Sequence, residues 1–207
     1  MEGYETEDEQ VEAIKKWWTE YSKSILIGLV IGAALVTGWR YYENYQHNQA
    51  ATASVLFNQM LSDLQKGLED TAQGFGIRLK EEFQRTPYAA LAAMALARQA
   101  VDKEDYARAE SNLVWAMEHA GQVPMVNVAR LRLARVKLAQ EQASEAMKLI
   151  KGVESQGFEA SYATLEGDIY VAMKDVENAR NAYQKALAMP DLNSTNRALV
   201  QMKLDSL

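Results

Sequence analysis

The sequence predicts an all-α protein: a single N-terminal transmembrane helix, then a solenoid of helical hairpins closed by a C-terminal cap helix. Three observations carry this. Sixteen consecutive positions, 24–39, hold no charge in a chain that is 24% charged. Beyond them, apolar residues recur at spacings of three and four. No stretch alternates with period two for long enough to suggest a sheet.

Composition narrows the function classes. A chain of 207 residues suits one globular domain plus something extra. Its 48% apolar fraction can fill a core. Without Cys there is no disulfide framework and no thiolate zinc site, and either redox compartment remains compatible. A net charge of −6 and a pI near 5.1 argue against a nucleic-acid surface. The charge is uneven. Residues 1–23 hold seven acids (Glu2, Glu5, Glu7, Asp8, Glu9, Glu12, Glu20) against Lys15, Lys16 and Lys23, a net −4. An acidic head on a near-neutral body reads as a solvated tail or as a docking segment.

The uncharged run comes first in chain order. Alone, it spans ~24 Å of helix, short of the ~30 Å hydrocarbon core, and would suit a signal-peptide core or a buried helix. The flanks decide otherwise. Trp17, Trp18 and Tyr21 precede it, and Trp39, Tyr41, Tyr42 and Tyr45 follow, as in the two interfacial belts of a spanning helix. Trp18 to Tyr41 is ~35 Å of helix, which reaches both interfaces. A signal peptide needs a short basic start and a small-residue cleavage site, whereas this start is long and acidic and "TGWRYYENY" is bulky. A core helix needs a polar stripe, and "ILIGLVIGAALV" has none. Residues 24–40 are therefore expected to be an uncleaved transmembrane anchor in membrane lipid. Three lysines on its N side against Arg40 alone on its near C side predict a cytoplasmic segment 1–23 and a domain 41–207 on the far side. Ser24, Gly28 and Gly32 recur every four residues, which puts small residues on one face where a partner helix can approach. Glycine is common in such helices, so chance also gives this spacing.

After the anchor the helical pattern continues without a break. Ala53, Leu56, Phe57, Met60, Leu61 and Leu64 form one face, with Asn58, Gln59, Ser62, Asp63 and Lys66 opposite. Thr86-Pro87 opens another helix, with Pro in its first turn. Further helices are expected near Asp105, Met125, Ser144, Glu159 and Asp175. Near the end, Gly167-x2-Tyr170, Ala179-x3-Tyr183, Ala186 and Pro190 resemble the tetratricopeptide pattern. Small residues let the two helices of a hairpin approach, and rings fill the space beside them. The same frame puts Ala97, Ala109, Leu113 and Ala116 in one earlier unit, and Ala134, Ala146, Ile150 and Val153 in another. The anchor alanines Ala109, Ala146 and Ala179 keep a period near 34. Residues 48–85 read as a degenerate fourth hairpin. "NSTNRALVQMKLDSL" reads as a solubilising cap helix.

Signals for chemistry are weak. His47 and His119 are far apart in sequence, with no paired-ligand spacing, and read as surface residues. There is no nucleophile elbow. "GFG" at Gly74–Gly76 lacks the strand and the further glycine of a nucleotide loop. Adjacent carboxylates such as Glu81 and Glu82 diverge on a helix. No catalytic residue, metal site or cofactor is expected. Arg130, Arg132, Arg135 and Lys137 share one helix, with Arg130 and Lys137 on one face and Arg132 and Arg135 on another. They read as a solvated flank with ion pairs, or as part of a groove for an acidic or polar peptide.

Three stretches add a family resemblance: "YETEDEQVEAIKKWWTEY" before the anchor, "GWRYYENY" after it and "QMKLDSL" at the end. Together they resemble the bacterial YfgM family over essentially the whole chain. The resemblance implies a single-span inner-membrane protein with a tetratricopeptide-like periplasmic domain, ancillary to the SecYEG translocon. It implies partnership with the membrane-anchored chaperone PpiD and transfer of emerging client proteins to periplasmic chaperones. It also implies, as an alternative role, restraint of the Rcs envelope-stress response.

Overall fold

The computed structural model describes residues 7–155 and 157–207, and the backbone alone for residues 7–9, 13, 24 and 25. The first six positions of the expected cytoplasmic segment therefore lie outside the described residues. Among the described residues there are nine helices and no strand. They form two compact units, Met1–Gln49 and Ala50–Leu207.

The first unit is carried by α1 (Glu7–Gln65). Its apolar side chains lie open: Leu26, Ile27, Leu29, Val30, Ile31, Leu35 and Val36 are each more than half exposed. The one hydroxyl placed within the described part of the uncharged run, that of Thr37, donates to the Ala33 carbonyl at 2.7 Å. No single helix among the described residues is long and apolar enough to cross a membrane. The segments Gln10–Lys23 and Leu26–Gln65 meet that requirement as a pair, bent by 47°. Residues 26–40 of the span expected over 24–40 lie in the second of these segments.

The second unit contains the last turns of α1 and eight further helices: α2 (Glu69–Glu82), α3 (Pro87–Asp102), α4 (Tyr106–His119), α5 (Val123–Ala139), α6 (Ala143–Ile150), α7 (Glu159–Ala172), α8 (Val176–Ala188) and α9 (Ser194–Asp205). Expected helix starts fall within two residues of these. The largest shift is at α5, which begins at Val123 because Pro124 fits its first turn. Asp105 and Asp175 cap α4 and α8, each accepting from the backbone N–H three residues on.

One turn geometry repeats through the unit. Gly67, Glu104, Glu141 and Lys174 all adopt the left-handed conformation, at φ 74°, 59°, 62° and 61°. After each, the next residue's N–H reaches back five positions, from Leu68 to Asp63, Asp105 to Ala100, Gln142 to Lys137 and Asp175 to Tyr170, at 2.8–2.9 Å. This is the Schellman closure of a helix C-terminus. Five residues beyond each left-handed residue stands an alanine with no exposed surface: Ala72, Ala109, Ala146 and Ala179. Ala72 and Gly67 place the hairpin over residues 48–85 in the same frame as the other three.

Packing follows that frame. Ala53, Leu56 and Met60 of α1 bury against Ala72, Leu79, Ala92 and Leu96. Ala97, Ala109, Leu113 and Ala116 share the next cluster, and Ala134, Ala146 and Ile150 the one after. In the last hairpin the approach is close: a methyl group on Gly167 would lie 2.4 Å from the Tyr183 ring. α9 covers this end, burying Val200 beside Ala179 and Tyr183. The Tyr183 hydroxyl donates to Asp168 at 2.7 Å, and Lys203 of α9 pairs with the same carboxylate at 2.6 Å. The outward side of this cap is not wholly polar, since Leu199 and Met202 are exposed.

Candidate functional site

Small residues and charge draw attention to different places. Gly28 and Gly32 lie one turn apart on α1, and a Cβ on either would meet nothing within 4 Å. The side chain of Ser24 lies outside the described residues. The three expected partner-facing residues therefore share a helix, with open space at both glycines.

The basic helix α5 divides as its spacing predicts. Lys137 pairs with Glu110 at 2.7 Å, largely out of solvent. Arg130, on the same face, lies against the Tyr162 hydroxyl, which itself donates to the buried Asn127 at 2.9 Å. Arg132 and Arg135 face a cavity of about 440 Å³ between α3 and α5. Arg98 of α3 joins them there, and the floor is apolar, with Met94, Ala97, Leu113 and Val136. Asp102 is the one carboxylate lining it among the described residues, and Arg98 holds Asp102 at 2.9 Å. Neither Arg132 nor Arg135 has a carboxylate partner among the described residues. Burial, then the neighbouring charges of Arg135 and Arg98, hold the Arg132 guanidinium below its ordinary pKa.

A second cavity of about 440 Å³ shares Met94, Arg98 and Arg132 with the first. Phe57, Leu91, Met125 and Val128 make it an apolar shelf beside the arginines. Spacing along one helix does not reveal Arg98, because it stands on α3. The repeat frame does: Arg98 follows Ala97 as Arg135 follows Ala134, at equivalent positions of successive hairpins.

A third concavity, on the outer side of α4, holds an aromatic and cationic stack. Lys80 donates to Asn112 at 3.0 Å and lies 5.1 Å from the centre of the Trp115 ring. His119 stacks on Trp115 at 4.0 Å and also bonds the Trp115 carbonyl at 2.9 Å. His119 is thus half-buried and held, whereas His47 is exposed. Among the described residues no three His, Asp or Glu side chains converge to hold a metal ion.

Comparison with known proteins agrees with this architecture. A family model described as "Tetratricopeptide repeat-like domain" matches residues 15–207. A relative from Escherichia coli (strain K12), named "Ancillary SecYEG translocon subunit", is 30% identical over 100% of this chain and 99% of its own. Relatives of the same name from Aggregatibacter actinomycetemcomitans and Haemophilus influenzae are 32% and 29% identical, over 97% and 99% of this chain and 97% and 100% of their own. No solved structure matches. With the family model covering nearly all of the sequence and the relatives aligned end to end, the chain belongs to the tetratricopeptide repeat-like YfgM family.

Proposed function

We propose that this protein is a non-enzymatic, membrane-anchored adaptor at the SecYEG translocon. The observation that carries the reading is the end-to-end match to relatives named for that role. α1 supports an anchor: its exposed apolar residues find in lipid the environment that the protein does not supply. Aromatic residues flank them on both sides, where an interface would lie. The N-terminal segment stays in the cytoplasm, by the excess of lysines before the span, and the hairpin domain stands in the periplasm. There it acts with PpiD to pass emerging proteins to periplasmic chaperones. Repeated hairpins suit this work because they offer an extended binding surface and need no catalytic group.

Crosslinked membranes, solubilised in mild detergent and captured on the tagged protein, test the proposal. Translocon subunits and PpiD should be recovered. Their absence, with Rcs signalling proteins in their place, would overturn the adaptor reading for the regulatory one. Added protease should digest the domain after Tyr45 in spheroplasts and spare the first twenty residues. Protection of that domain would reverse the topology.

A further inference from the structure

We propose that the groove between α3 and α5 binds an extended polypeptide segment carrying a carboxylate beside apolar side chains. This deepens the adaptor reading and rests on it only for where such segments come from.

Charge is the first observation. Arg98, Arg132 and Arg135 surround one cavity, and its single carboxylate among the described residues is already held by Arg98. Gathering like charges opposes folding. The rest of α5 avoids that penalty, since Lys137 has Glu110 and Arg130 has Tyr162. Arg132 and Arg135 are left unmatched, in a chain whose net charge is −6. The arrangement is complementary to an anion, and the guanidinium fork suits a carboxylate because it can donate two parallel hydrogen bonds.

Shape is the second observation. The apolar shelf of Phe57, Leu91, Met125 and Val128 is continuous with the arginines through Met94, Arg98 and Arg132. A free inorganic anion has no use for such a shelf. A nucleic acid would meet an otherwise acidic protein. A peptide presents both features at once: a carboxylate for Arg132 and Arg135, and neighbouring apolar side chains for the shelf. Methionine on that shelf accepts apolar side chains of varied shape, as a protein serving many clients requires.

The test uses the full chain in phosphatidylcholine nanodiscs. The probe is a fluorescein-labelled peptide with the core Leu-Asp-Leu-Asp-Leu. Anisotropy should show binding that weakens as salt rises. Replacing both Asp by Asn in the peptide should weaken it about tenfold or more, roughly the loss of one charge-assisted hydrogen bond. Replacing Leu by Ser should weaken it as well. Arg132→Glu with Arg135→Glu should abolish binding, and the milder Arg132→Gln with Arg135→Gln should reduce it, with helical content unchanged by circular dichroism. Equal binding of the Asn peptide would overturn the proposal without altering the protein. So would full binding by either arginine pair, displacement by inorganic phosphate at equal concentration, or displacement by phosphatidylglycerol vesicles that leaves the protein on the membrane. Recovery of translocon subunits by the arginine variants is read separately. Lost peptide binding with normal recovery is the expected pattern for the arginine variants, whereas a wild-type protein that binds the peptide in this arginine-dependent way but recovers no translocon subunits would sink the adaptor reading and leave the groove standing.

Discussion

Gly167→Ala places one methyl group where the last hairpin is tightest. The added carbon would lie 2.4, 2.5 and 2.9 Å from three atoms of the Tyr183 ring. Ordinary carbon contacts are ~3.5–4.0 Å, so ring or helix must move by about 1 Å. The ring has little room: Tyr183 is 2% exposed and its hydroxyl is held by Asp168, which Lys203 also holds. Overpacking of this kind costs ~1–3 kcal/mol, and losing a hydrogen bond to a charged group adds ~1.5–3 kcal/mol. The better helix propensity of Ala returns ~1 kcal/mol. A net loss of about 1.5–5 kcal/mol follows, or about 3–20 °C in Tm for a unit of this size. Thermal melts by circular dichroism on residues 46–207 measure it. Two other glycines calibrate the reading. Gly74 has nothing within 4 Å, so Gly74→Ala should raise the Tm slightly. A methyl on Gly76 meets the flexible end of Leu96 at 2.6 Å, so its substitution should fall between the other two. In a Tyr183→Leu background the penalty of Gly167→Ala should largely vanish. A Gly167→Ala protein that melts at or above wild type would refute this account of the hairpin contact.

Two further outcomes are expected. Gly28→Leu with Gly32→Leu keeps the segment apolar, so membrane integration should persist while co-purification of partners falls; recovery at wild-type yield would show that contacts outside the membrane carry the association. Burial, then hydrogen bonding and proximity to Asp168, raise the Tyr183 pKa above 10. The folded state therefore keeps the proton when the unfolded chain releases it, and stability present below about pH 10 is lost as pH rises above it. Denaturant titrations from pH 8 to 11 should show a steeper alkaline fall for wild type than for Tyr183→Phe, and parallel profiles would contradict the burial of this phenol.

The repeat frame was legible because it rests on residue size. Ala97, Ala109, Ala134, Ala146, Gly167 and Ala179 lie where helices touch, and a helix contact that admits only small side chains leaves a periodic mark. The hairpin over residues 48–85 was faint for the same reason. At the positions of Gly167 and Tyr183 it carries Met60 and Gly76, so large and small exchange helices and the pattern no longer matches, although the backbone is the same. The three arginines of the groove were two-thirds legible. Arg132 and Arg135 share a face of one helix, but Arg98 stands on α3, so the spacing along α5 does not reach it and only the alignment of successive repeats brings it into the set. The bend in α1 left no signal, because an uncharged run reports hydropathy and not direction.

The left-handed closures at Gly67, Glu104, Glu141 and Lys174 also bear on the order of folding. Each needs only six consecutive residues, so it forms without any distant part of the chain. The packed helix pairs are neighbours in chain order or one further apart. Such low contact order favours rapid folding, and stacked units propagate structure from one to the next. A chain delivered from its N-terminus can close its first hairpin while the last is still being synthesised. The alanines of each new unit then meet a surface that is already formed. α9 arrives last, and Lys203 locks onto Asp168 only when the hairpin it covers is complete.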